Sequence, residues 1–167
     1  MSEKRELILK YRNDVVNGKK LTRSTISELF NINNKFLLNL SDAANYITRH
    51  FHGSKVDIEE LANIKKNFCS EDCTFCSQSA FFNTKITGYE LPPPEEIVEQ
   101  ALNAKNDGAG SFCLVAAWRE PSILDFKKVC VIIEEINKKV GISVECSLGF
   151  LTDKQAKTLK KLQVKRY

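Results

Sequence analysis

Three of the chain's six cysteines fall within eight positions, in the stretch NFCSEDCTFCSQSAFF at 67–82. Cys69, Cys73 and Cys76 form a C-x3-C-x2-C array with no fourth cysteine or histidine beside it. Thiolates at this density suit soft metals or redox exchange. A structural zinc site closes its tetrahedron with four ligands, commonly two separated pairs. Here the second pair is missing, and His50 and His52 lie upstream at a spacing unlike that of a zinc finger. A dithiol couple could use Cys73 and Cys76 but leaves Cys69 without a role. A cubane iron–sulfur cluster is ligated by cysteine thiolates, and one held by only three keeps a corner iron open to a substrate. That chemistry accounts for all three cysteines and for the lack of a fourth.

The elements that must position such a loop can be read from the pattern around it. At 167 residues, 43% hydrophobic and 28% charged, the chain has the composition of one globular domain with a real core. Its net charge of +4, from 25 basic and 21 acidic residues interleaved along the chain, is far below a nucleic-acid signature. The first twenty residues lack the apolar core of a secretory signal, and no apolar run approaches the roughly 20 residues that span a bilayer. The expected setting is the cytoplasm, where thiols stay reduced; neither a membrane nor a nucleic acid is an expected partner.

The first third reads as helix. Leu7, Ile8, Tyr11 and Val15 share a face, TRSTISELF forms a short second helix, and Phe36, Leu40, Ala43, Ala44, Ile47 and Phe51 recur at three- and four-residue steps. DIEELANIKKNFC then ends in a short strand that runs directly into the cysteine array. LPPPEEIVEQALNAKNDGAG starts a helix behind prolines and stops at Gly108. SFCLVAAW (111–118) and ISVECSLGF (142–150) are strands, separated by a helix opened by Ser122 and closed near Gly141. TDKQAKTLKKLQ is a helix whose Thr152 and Gln155 stand in capping-box relation, and VKRY opens a further strand. Strands alternating with helices imply a parallel α/β sheet covered on both faces. Four strands do not close an eight-stranded barrel, which takes about 250 residues, so the pattern predicts a small open sheet or the front of a barrel. Cys113 and Cys146 fall in the second and third strands, where a buried structural cysteine is the ordinary case. Cys130 shares an apolar helix face with Phe126, Val129, Ile133 and Ile136 and reads as core.

The cysteine array resembles the signature of the radical S-adenosylmethionine (radical SAM) superfamily, with Phe75 at the aromatic position before the third cysteine. CSEDCTFCSQSAFFNT is similar to the cluster loop of the biotin synthase family, Ser70 and Ser77 standing where that family has proline. GAGSFCLVAAWREP and VECSLGFLTDKQAKTLK are similar to its second and third strand segments, and LTRSTISELF to its start, so the resemblance covers residues 21–167.

It implies an N-terminal helical segment at 1–55, then at 56–167 the first βα units of a TIM-type (β/α)8 barrel, incomplete in this chain, which is expected to be part of a longer protein and inactive alone. The implied reaction is insertion of sulfur into dethiobiotin to form biotin through a 5′-deoxyadenosyl radical. The implied cofactors are S-adenosyl-L-methionine, a 4Fe-4S cluster on Cys69, Cys73 and Cys76, and a 2Fe-2S cluster on Cys113 and Cys146 with ligands beyond Tyr167. Cys113 and Cys146 are accordingly expected to point into the barrel side by side, and Glu145 away from it. Phe75 is expected near the adenine, Trp118 and Arg119 at the catalytic mouth, and Asn67 and Gln78 flanking the cluster loop. A one-electron donor such as flavodoxin or ferredoxin and a homodimer follow from the same resemblance. The alternatives are another radical SAM enzyme, of the hydrogenase-maturation or methylornithine-synthase kind, or a non-catalytic iron–sulfur or zinc module.

Overall fold

A computed structural model describes residues 3–66 and 69–167, which divide into two compact units, Met1–Val56 and Asp57–Tyr167. The first unit is helical. Helix α1 (Glu3–Val16) packs against α3 (Leu37–His52), with Ile8 and Ala43 buried. Between them lies α2 (Arg23–Phe30), whose Thr22 side chain caps the first turn by accepting from the Thr25 N–H. Glu28 accepts from Lys4 at 2.8 Å and from the Tyr11 hydroxyl at 2.9 Å, tying α2 to α1.

The second unit is a three-stranded parallel sheet in the order β1 (Glu59–Lys65), β2 (Ser111–Ala116), β3 (Ser143–Ser147). Helix α4 (Pro94–Asn106) connects the first two strands and α5 (Ile123–Lys139) the next two. Helix α6 (Asp153–Lys161) follows β3, and Arg166 then makes a parallel bridge to Glu145 where a further strand was expected. This is the front of a parallel α/β array.

Proline at the start of α4 supplies the helical φ without losing a needed N–H, and Glu95 and Glu96 meet the positive helix end. Helix α6 opens on a complete capping box: Gln155 N donates to the Thr152 hydroxyl at 3.3 Å while Thr152 N donates to the Gln155 side chain at 2.8 Å. Thr152→Ala is expected to cost about 1 kcal/mol, read as a lower urea midpoint at unchanged slope.

The core lies on one side of the sheet. Ala62 and Ile64, Phe112, Leu114 and Ala116, and Val144, Cys146 and Leu148 pack against Ile97 and Ala101 of α4 and Val129, Ile132, Ile133 and Ile136 of α5. These strand positions alternate, as a pleated strand requires. The intervening residues, including Leu61, Asn63, Ser111, Cys113, Ser143 and Glu145, belong to the opposite face, which we call the inner face.

Candidate iron–sulfur site and sheet faces

The cysteine loop leaves the C-terminal end of β1 and is folded by its own backbone. Lys66 and Tyr89 exchange two hydrogen bonds of 3.1 Å, pinning the two ends of the loop together, and the Tyr89 hydroxyl donates to the Asn63 carbonyl. Inside that closure Cys69 N donates to Gln78 O at 3.1 Å and Ala80 N to Cys69 O at 2.9 Å. Cys76 N donates to Cys73 O at 2.9 Å, a tight turn with Thr74 and Phe75 at its tip. Such a turn brings its first and last Cα atoms within about 7 Å, so Cys73 and Cys76 stand side by side. Ser79 is the hidden pin. Buried in the loop, it donates from Oγ to Glu71 O at 2.7 Å and accepts from Phe81 N at 3.2 Å.

Cys69 and Cys76 are half-buried and Cys73 is exposed, all three as free thiols. Among the described residues no three His, Cys, Asp or Glu side chains converge closely enough to hold a single metal ion. Three cysteine sulfurs on one loop are the donor type that a 4Fe-4S group takes, one to each of three irons. Phe75 is 95% exposed and is therefore not core; its ring is open to a ligand. Asn67 lies outside the described residues.

Two neighbouring loops reach the same end of the sheet. Arg119, after β2, donates from Nη1 to Glu71 Oε1 at 3.0 Å, joining its loop to the cysteine loop, and lies 5.2 Å from the centroid of the Phe150 ring. Trp118 Nε1 donates to Leu148 O at 2.6 Å and Phe150 N to Arg119 O at 2.8 Å, joining the loops after β2 and β3. Trp118 and Arg119 thus stand at the C-terminal ends of the strands, where active sites of parallel barrels lie.

The second pair of cysteines is arranged differently from the expectation. Cys113 pairs in register with Leu61 and Glu145, whereas Cys146 pairs with Leu114. Residues in register share a face, so Cys113 and Glu145 are on the inner face and Cys146 is on the helix side. Cys146 is 3% exposed inside the hydrophobic core, where burial above all pushes its thiol up to about 12 and keeps it protonated at neutral pH. Cys113 is also buried, and desolvation followed by Glu59 and Glu145 raises its pKa. The expectation that both thiols enter the barrel side by side, with Glu145 turned away, is therefore corrected: the one-residue parity is reversed on β3. The Cys113 thiol is nonetheless near enough to Cys146 to add to the rise in its pKa, after burial. Cys130 is partly buried against the core.

Sequence reasoning missed Ser79, the Glu71–Arg119 link and the inner-face role of Glu145. A serine three residues after the last cysteine was visible, but its partner Glu71 O is a backbone atom with no sequence signal.

A parallel α/β sheet with a three-cysteine loop after its first strand defines a protein of the half-barrel or barrel type. The chain belongs to the radical SAM superfamily, whose family model matches residues 63–167, and that membership implies a 4Fe-4S cluster and S-adenosylmethionine. It is similar to the biotin synthase of Nitrosopumilus maritimus (strain SCM1), 61% identical over 97% of this chain and 50% of that one. It is also similar to the biotin synthase of Cenarchaeum symbiosum (strain A), 53% identical over 96% of this chain and 49% of that one. The chain spans about half the length of the curated relatives it matches. Among solved structures it resembles methylornithine synthase, with a TM-score of 0.78 at 20% identity over 92% of this chain and 44% of that one. A maturase of the FeFe-hydrogenase aligns with a TM-score of 0.75 at 19% identity over 95% of this chain and 35% of that one. At those identities the structural likeness speaks for the fold.

Proposed function

We propose that this chain carries the cofactor-cleaving part of a biotin synthase, acting on dethiobiotin. The observation that carries the reading is the 61% identity to a biotin synthase across nearly the whole chain, including a three-cysteine loop at the strand end where radical chemistry needs it. Cys69, Cys73 and Cys76 would each give a thiolate to one iron, with Ser79 and the Lys66–Tyr89 pairing holding their backbone. When bound, the cluster supplies the electron that splits the carbon–sulfur bond of S-adenosylmethionine and so generates a radical able to attack an unactivated C–H bond. The exposed Phe75 ring would lie against the adenine, and Trp118 and Arg119 would close the mouth from the second strand's side. The reading includes a small one-electron donor such as flavodoxin or ferredoxin, a homodimeric full-length protein, and a cytoplasmic setting. No described helix is long and apolar enough to cross a membrane.

Purification without oxygen, reconstitution with iron and sulfide, and reduction in the presence of S-adenosylmethionine test this directly. The expected result is a brown protein with about four irons per chain that releases 5′-deoxyadenosine. A colourless chain that retains zinc and leaves S-adenosylmethionine intact would instead mark a non-catalytic metal module.

A further inference from the structure

Ser79 touches every segment of the loop that carries a cysteine. The peptide groups on either side of it bond Cys69, since Cys69 N donates to Gln78 O at 3.1 Å and Ala80 N to Cys69 O at 2.9 Å. Its own N–H donates to Cys76 O at 3.3 Å. Its hydroxyl donates at 2.7 Å to the carbonyl of Glu71, midway between Cys69 and Cys73. The first three bonds are main-chain and can form with any residue but proline nearby. The fourth needs a hydroxyl.

Ser79 is 1% exposed, the most deeply buried polar side chain among the described residues, in a loop that leaves Cys73 and Phe75 in solvent. The same oxygen accepts from Phe81 N at 3.2 Å, which leaves its proton aimed at Glu71 O. The other hold on Glu71, its carboxylate against Arg119, is solvent-exposed and therefore weak. The hydroxyl is the firmer tie on the arm between Cys69 and Cys73.

We propose that Ser79 is a positioning residue for the cofactor: through Glu71 O its hydroxyl fixes the arm that bears Cys73, and with it the direction in which the three thiolates leave an iron corner open. The inference rests on the reading of this loop as a cluster loop and deepens it. Cys69 and Cys76 stay anchored by main chain without that hydroxyl, whereas the placement of Cys73 depends on it. Three attachment points define a plane, so displacing one tilts whatever the three carry. A tilted corner still takes iron, because all three thiols remain, but it meets S-adenosylmethionine less well.

Ser79→Ala tests this in the reconstituted chain, handled without oxygen. Iron and sulfide content are expected to match those of the unaltered chain. S-adenosylmethionine is then titrated against the reduced protein, and binding is read from the change in its electron paramagnetic resonance signal, which needs no turnover. Half-saturation is expected at about ten times the concentration, the effect of one hydrogen bond lost at a buried acceptor. Release of iron to a chelator is expected to quicken by a similar factor. Thr152→Ala separates placement from stability: it loosens the start of α6, lowers the urea midpoint and is expected to move neither readout. An unchanged half-saturation in Ser79→Ala, an equal shift in Thr152→Ala, or loss of the iron itself in Ser79→Ala would each overturn the proposal. An unaltered chain that takes up no iron overturns it together with the reading of the loop. A chain that loads iron and binds S-adenosylmethionine equally with and without the hydroxyl overturns the proposal alone.

Discussion

Reconstitution of a chain carrying Cys73→Ala is expected to give no iron–sulfur chromophore, with visible absorbance and acid-labile sulfide at background. The same loss is expected for Cys69→Ala and Cys76→Ala. A cluster held by three thiolates has no spare ligand, and the turn closed by Cys76 N on Cys73 O would present both side chains to it. Metal affinity depends steeply on each thiolate because the ligand set is the binding energy. Cys130→Ala is the control: Cys130 sits against the core on α5 and its loss should leave iron content unchanged. Arg119→Gln is a second control for the loop's surroundings. Its ion pair with Glu71 is solvent-exposed and worth less than about 1 kcal/mol, so the chromophore is expected to form. A chromophore that survives Cys73→Ala would show that the cluster is bound elsewhere.

Gly149→Ala is expected to be the most damaging single methyl addition in the second unit. Gly149 has φ +72°, in the left-handed region that side chains disfavour. A Cβ there would lie 2.2 Å from the Arg119 carbonyl oxygen and 3.0 Å from that of Trp118. Both obstacles are backbone, held by Phe150 N donating to Arg119 O and by Trp118 Nε1 donating to Leu148 O. Conformational strain of about 1–3 kcal/mol and overpacking of about 1–3 kcal/mol together suggest a loss of about 3 kcal/mol. In a chain of this size that lowers Tm by about 10 °C. Gly110→Ala provides the comparison, since its Cβ would meet the Asp57 side chain at 3.2 Å, a group able to move. Equal melting temperatures for the two variants would contradict the close approach at Gly149.

Most of the secondary structure was legible because it is written in local chemistry. The Thr152 and Gln155 capping box, the prolines before α4 and the apolar spacing of α3 each act within a few residues of where they stand. The cysteine array was legible for the same reason: its ligand spacing is a short-range signal. The faces of β3 were not. Glu145 and Cys146 are adjacent and both buried, so the alternation that normally distinguishes inside from outside is erased in a strand covered on both sides. Only the register against β2 decides which of the two joins Cys113, and a shift of one residue reverses the answer. The third strand also ends earlier than its apolar run implied, at Ser147 rather than Phe150, because Leu148 to Phe150 turn aside to bond the loop after β2. The fold of the cysteine loop rests on contacts such as Lys66 with Tyr89, twenty-three positions apart, which carry no periodicity at all.

The cysteine loop is braced by hydrogen bonds of its own, with the paired Lys66 and Tyr89 backbones at its base and the buried Ser79 hydroxyl between Glu71 O and Phe81 N. The points from which Cys69, Cys73 and Cys76 leave the backbone are therefore set by main-chain geometry, and a change at Ser79 would act on the thiols without touching one of them.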